Sequence, residues 1–248
     1  MLKFFRSLRK NLISEGKTTK YFKYAIGEII LVAIGILLAL QINTWNTERI
    51  VKKEEKAVLQ KLSKDLEADY IRFTEIDSFY SEHLEYLKHN QNLIYKKELS
   101  DDEINEVMSY YGAHIQEISP RRTTYEEMVN SGKIYNLSND VLVDEIIEYY
   151  KMIDEGIYQL RQTRNEFRAL FYGPDLTDFW FWKGDKNRFP YAKDFFNNQN
   201  TNAYKLLKQS AGWSASIIET AKRNNLIHIS KNQELLSRLN NEKSNLKD

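Results

Sequence analysis

Residues 25–40 read AIGEIILVAIGILLAL, an apolar run whose one polar interruption is Glu28. Tyr21, Phe22 and Tyr24 stand at its start and Trp45 lies beyond its end, where amphipathic rings mark the two faces of a bilayer. An α-helix needs about 20 residues to cross about 30 Å of hydrocarbon, and residues 24–45 supply that length. The run therefore predicts one transmembrane helix over residues 24–45, after a basic flank (1–23) and before one extramembrane domain (46–248). A cleaved signal peptide is the competing reading. The long run, and a preceding flank longer than a normal n-region, favour the anchor.

Orientation follows from the basic residues on either side. Lys3, Arg6, Arg9, Lys10, Lys17, Lys20 and Lys23 precede the run, and Arg49, Lys52, Lys53, Lys56, Lys61 and Lys64 follow it. The small excess before the run, and its early place in the chain, predict a cytoplasmic N-terminus and an exported domain. Within the run, Glu28 lies about one helical turn from the cytoplasmic boundary, where a carboxylate can reach headgroups or Lys23. The sharper alternative is an ion-coupling carboxylate, since a carboxyl group inside hydrocarbon is costly unless protonated, paired or near the interface, which makes intramembrane acids functional candidates. Gly35 and Ala39 form a small-xxx-small pair, with Gly27 two turns earlier, so these three and Glu28 are the candidates for contact between membrane helices.

Outward from the anchor, composition restricts what the domain can be. The 36 basic and 35 acidic residues nearly cancel, which leaves no general footprint for nucleic acid. Cysteine is absent, which removes disulfides, thiolate catalysis and cysteine zinc sites. Residues 36–111 contain neither Gly nor Pro, which favours long helices. Leu59, Leu62, Leu66, Tyr70, Phe73, Ile76, Tyr80, Leu84, Leu87 and Ile94 recur at helical steps and predict a long amphipathic helix. Ser100 and Glu103 form a capping box opening a second helix through Ile104, Val107, Met108 and Tyr111 towards Ile118, ended by Pro120. Thr124 is expected to cap a short helix closed by Gly132, and Asn139 or Ser138 to open a long one reaching Gly173. A last helix is expected over about 202–246. The fold class is all-α: a transmembrane helix, then an antiparallel bundle of long helices with one irregular, aromatic-rich excursion.

That excursion, residues 173–190, reads GPDLTDFWFWKGDKNRFP. Phe179, Trp180, Phe181 and Trp182 either cap the bundle or meet a ligand or partner, because exposing so much aromatic surface is unfavourable. Arg121 and Arg122, just before the Thr124 helix, are candidates to hold an anion at its N-terminus. The four histidines show no zinc or di-iron spacing, and no phosphate loop, dinucleotide fingerprint or nucleophile elbow occurs. No cofactor, metal or enzymatic activity is expected.

The run KFFRSLRKNLISEGKTTKYFKYAIGEIILVAIGILLALQINTWN, and the segment TYEEMVNSGKIYNLSNDVLVDEIIEYY at 124–150, resemble the domain of unknown function 6090 family. The resemblance implies a bacterial inner-membrane protein of Bacteroidota with Glu28 as a family feature, and it implies no established activity. The expected function is a membrane-held, non-enzymatic helical scaffold or adaptor. Its partners would be the bilayer and either a second copy of the chain or another envelope membrane protein. A ligand-sensing bundle and an ion-coupled component using Glu28 are the alternatives.

Overall fold

The structure, a computed structural model, describes residues 18–176, 179 and 189–246. All regular structure among them is helical. The described helices are α1 (Thr18–Tyr95), α2 (Asp101–Met108), α3 (Thr123–Asn130), α4 (Asp140–Phe171), α5 (Phe189–Asn197) and α6 (Asn202–Asn245), with single 3-10 turns at Lys133–Asn136 and Pro174–Leu176. The described chain divides into two units, at Ala57/Val58 and again at Asn245/Leu246.

Helix α1 is 78 residues long and remains helical through residues 43–47. Several small polar side chains along it bond back into their own helix and so do not draw its backbone into other conformations. Thr47 Oγ1 donates to Asn43 O at 3.0 Å, Ser63 Oγ to Leu59 O at 2.8 Å, and Thr74 Oγ1 to Tyr70 O at 2.8 Å. The helix ends where Lys96 N–H turns back to Leu93 O at 3.0 Å.

In the larger unit, α1, α4 and α6 supply most of the core. Leu59, Leu62, Leu66, Phe73, Tyr80, Leu87 and Ile94 of α1 are fully buried, following the three-and-four spacing. From α4 come Ile146, Tyr150, Ile153, Phe167 and Phe171, and from α6 Tyr204, Leu207, Ile218, Ala221 and Leu239. Helices α1 and α6 run antiparallel, in a register fixed by buried polar groups. Tyr204 Oη donates to Ile94 O at 3.0 Å, Asn225 Nδ2 to Phe73 O at 2.7 Å, and Asn232 Nδ2 to Leu66 O at 3.0 Å. The donors are spaced 21 and 7 residues apart on α6, and their acceptors by the same steps in reverse on α1. Asn232 Nδ2 also donates to Tyr149 Oη at 3.0 Å, which ties α4 into the same junction. Sliding α6 by one residue would strand all these donors without acceptors, a cost of about 1–3 kcal/mol for each buried group.

Gly156, in the middle of α4, has a packing reason. A Cβ there would lie 2.9 Å from Nε2 of His228, whose ring fills the space. Capping follows the expected chemistry at two helices. Ser100 and Glu103 form the reciprocal capping box, and Asn139 Oδ1 accepts from Leu142 N–H at 3.2 Å.

Three expectations need correction. Helix α2 stops at Met108 and does not continue towards Ile118. Gly112 takes φ of +69°, and the chain from 110 to 122 is irregular, several of its backbone polar groups taken up by side chains of the helices. Tyr80 Oη donates to Gln116 O at 2.9 Å, His83 Nε2 accepts from His114 N–H at 2.8 Å, and Tyr150 Oη donates to Arg121 O at 3.1 Å. Those distant bonds outweigh the local helical ones. Thr124 lies inside α3 and donates to Asp65 Oδ2 at 2.5 Å; the N-cap is Arg122, which makes no side-chain cap. Finally, the irregular excursion expected to reach Pro190 ends sooner, because α5 begins at Phe189; its Ala192, Phe195 and Phe196 are buried. Pro190 sits in its first turn, where a missing N–H is harmless.

Candidate functional site

The apolar part of α1 is the most unusual surface of the molecule. Every large apolar side chain from Phe22 to Ile42 keeps 48% or more of its surface exposed. Fully burying one such side chain is worth about 1.5–3 kcal/mol, so leaving more than ten in water forfeits a large stabilisation. A helix that is apolar around its whole circumference belongs either in a core or in a bilayer. None of the apolar window is buried within the chain, and its length and composition suffice to cross a membrane.

Glu28, Gly35 and Ala39 fall within about 40° of one another around this helix, at 3.6 residues per turn. Glu28 is half-buried, and a Cβ added at Gly27 or Gly35 would meet nothing within 4 Å. Tyr24 and Trp45, expected at the two ends, are 56% and 61% exposed. The side chain of Tyr21, the flank 1–17, and Trp180, Phe181 and Trp182 lie outside the described residues. Phe179 is described and is buried.

Arg121 and Arg122 sit where the 110–122 strap enters α3. The Arg122 guanidinium pairs with both carboxylate oxygens of Asp154 and stacks over Tyr150, 5.5 Å from the ring centroid. Tyr125 lies against the same ring, 4.1 Å between centroids. Arg122 thus meets an internal anion where the sequence suggested an external one. Arg121 contributes its backbone, donating N–H to both oxygens of Asp69 at 2.9 and 3.1 Å, while its side chain is exposed. Burial pushes Asp69 up to about 6, against the opposing effect of the Arg121 N–H; the nearby Asp65 carboxylate adds to the rise.

A second polar cluster went unread in the sequence. His83 is stacked against Phe79, Tyr86 and Tyr111, with centroids 5.6, 5.7 and 5.3 Å away. Its Nε2 accepts the His114 amide, so the proton resides on Nδ1, 3.4 Å from the Tyr111 hydroxyl. Burial, reinforced by His114, holds His83 down at about 4. His228 is likewise held at about 4 by burial, and its Nδ1 has no hydrogen-bond partner. These are neutral histidines that position backbone and fill space. The His83–Tyr86 pairing was visible as an i, i+3 spacing; its partners Tyr111 and His114 arrive through an irregular strap that carries no periodic signal.

Between α4 and α6 runs a groove of about 310 Å³, with Tyr149, Met152 and Leu235 beneath a charged rim. The rim pairs Lys231 with Glu234 at 2.7 Å and Arg238 with Glu145 at 3.6 Å. Among the described residues no group of three or more His, Asp or Glu is placed to hold a metal ion.

Residues 28–160 match the family described as a family of unknown function (DUF6090), and since the match covers more than half of the sequence, the chain belongs to that family. The matched span starts at Glu28 and includes Gly35, Ala39, Arg121 and Arg122, and it ends before the aromatic excursion. No curated protein and no solved structure matches the chain.

Proposed function

We propose that this protein is a single-pass, membrane-anchored, non-enzymatic helical scaffold or adaptor, acting through a second copy of itself or another envelope membrane protein. The observation that carries the reading is the bare apolar stretch of α1, residues 22–42. It lies on a helix whose C-terminal part is committed to a bundle core. Buried polar side chains such as Asn225, Asn232 and Tyr204 fasten one helix to another, which suits a stiff body that presents surfaces. In this reading the N-terminus is cytoplasmic and the domain stands outside the inner membrane. Gly35, Ala39 and Glu28 are the contacts for a neighbouring membrane helix.

The test is disulfide cross-linking in native membranes with Gly35→Cys or Ala39→Cys, which the cysteine-free chain makes unambiguous. It is paired with light scattering of the full-length protein in mild detergent. A cross-linked dimer, or a co-purifying envelope protein, is expected. A strict monomer that brings nothing with it contradicts the proposal.

A second reading, a ligand-sensing bundle, is favoured by the α4–α6 groove, whose apolar floor and paired rim suit a small amphipathic molecule. A ligand-dependent rise in thermal stability that is lost in Leu235→Arg would support it.

A further inference from the structure

Beyond the apolar run, α1 carries a segregated stripe of charge. Trp45, Arg49, Lys52, Lys53 and Lys56 follow one another by four, three, one and three residues, which at 3.6 residues per turn confines them to an arc of about 100°. Glu54 lies on the opposite side of the helix, while Glu48 borders the stripe. Arg49, Lys52 and Lys53 are exposed, and among the described residues none of them forms an ion pair. Lys56 is partly engaged, its Nζ donating to Leu246 O at 3.5 Å. A groove of about 510 Å³ runs along the stripe, with Leu246 at its edge.

We infer that the stripe formed by Arg49, Lys52 and Lys53 beside Trp45 is a docking surface for the phosphate groups of anionic phospholipid headgroups. The inference rests on the bilayer reading of the apolar run. At 1.5 Å per residue, Arg49 lies about 10 Å beyond Ile42 and Lys52 and Lys53 about 15–17 Å beyond it, while the headgroup layer extends about 5–8 Å past the hydrocarbon. The direction of helical side chains closes the difference for Arg49 and narrows it for Lys52 and Lys53. Each Cα–Cβ bond tilts towards the helix N-terminus, which for this flank is the membrane side. The long arms of Arg49, Lys52 and Lys53 therefore reach back towards the headgroups, whereas that of Lys23, on the other flank, starts out pointing away. Trp45, 61% exposed at the boundary, sets the depth. The lipid the stripe selects carries net negative charge, as phosphatidylglycerol does and phosphatidylcholine does not.

The test places the full-length protein in nanodiscs of equal phosphatidylglycerol and phosphatidylcholine and counts retained lipids by native mass spectrometry. Wild type is expected to retain phosphatidylglycerol with roughly hundredfold preference, and Arg49→Gln/Lys52→Gln/Lys53→Gln to lose it, since each of the three charges near an anionic surface is worth about a fivefold change. Lys97→Gln/Lys205→Gln, with the same chemistry elsewhere, should behave as wild type. The charge-conserving Arg49→Lys/Lys52→Arg/Lys53→Arg should restore the preference and so exclude a folding defect in the triple glutamine variant. Equal retention of the two lipids by wild type, or preference surviving in the triple glutamine variant, overturns the inference and leaves the anchor intact. Displacement of phosphatidylglycerol by an equal concentration of inorganic phosphate also overturns it, because the site would then be one for the free anion. If wild type fails to enter nanodiscs of any composition, the anchor reading falls and the inference with it.

Discussion

Two stretches of the same helix, residues 22–42 and 59–94 of α1, share backbone geometry and differ in everything their side chains meet. In the first, large apolar residues surround the helix and all stay exposed; in the second all but a few, such as Ile71, keep to one stripe, and exposure falls to zero at Leu59, Leu66, Phe73 and Tyr80. Glycine behaves differently in the two environments as well. A Cβ at Gly27 or Gly35 would meet nothing, whereas one at Gly112, in the strap that covers α1, would lie 2.7 Å from Phe171. Helix formation alone assigns neither stretch its solvent. The angular distribution of apolar side chains does so, with period 3.6 for a core face and none for lipid.

The sharpest way to break this comparison is truncation on both sides of it. Phe73→Ala should destabilise the full-length protein by about 3–5 kcal/mol in chemical denaturation, the loss typical of a buried aromatic. Leu37→Ala should leave that unfolding transition unmoved while weakening membrane retention. If both variants unfolded the bundle equally, the two stretches would not differ as described. Next in size, Gly112→Ala should cost about 1–3 kcal/mol, combining a positive φ with a clash against Phe171, and Gly27→Ala should leave bundle stability unchanged.

Acidification separates the two stretches by charge. His83 and His228 bind protons in the folded chain at about 4 but at 6.5 when unfolded. Between pH 6.5 and 4 the unfolded chain therefore takes up their protons first, and the bundle loses stability as pH falls. Asp69 acts with the opposite sign: raised to about 6 from 3.8, it makes the folded chain the better proton acceptor between those values and offsets part of the loss. Two histidines against one aspartate give a net fall, and Asp69→Asn should steepen it, as read by thermal unfolding across pH 4–7. The smallest expected effect is at the α2 cap, where Ser100→Ala should cost about 1 kcal/mol through loss of the bond to Glu103 N–H.

Much of this was legible because it is periodic or local. The apolar run, the stripe of α1, the Ser100 and Asn139 caps and the closing helix each declare themselves within a few residues. The strap at 110–122 does not, since its hydrogen bonds go to His83, Asp69 and Tyr80, about 30–50 residues earlier in the chain, and no local pattern encodes such partners. The register pins were half visible: Asn225 and Asn232 stand seven residues apart on an otherwise apolar face, as buried polar groups that fix alignment do in paired helices. The fate of Arg122 was hidden because its partner, Asp154, lies on a different helix. The candidate membrane positions were readable from spacing, and their exposure in the fold adds the physical reason to look for what covers them.

The most direct measurement exploits the absence of cysteine. Single cysteines placed in turn at positions 20, 28, 31, 35, 38, 42, 49 and 78 of the full-length protein in native membranes would be challenged with a membrane-impermeant maleimide. The account predicts labelling at 49 and 78, protection through 31, 35 and 38, and labelling at 20 only after the membrane is opened. Uniform labelling across 28–42 would show that the apolar stretch of α1 meets water, and would contradict its reading as a membrane anchor.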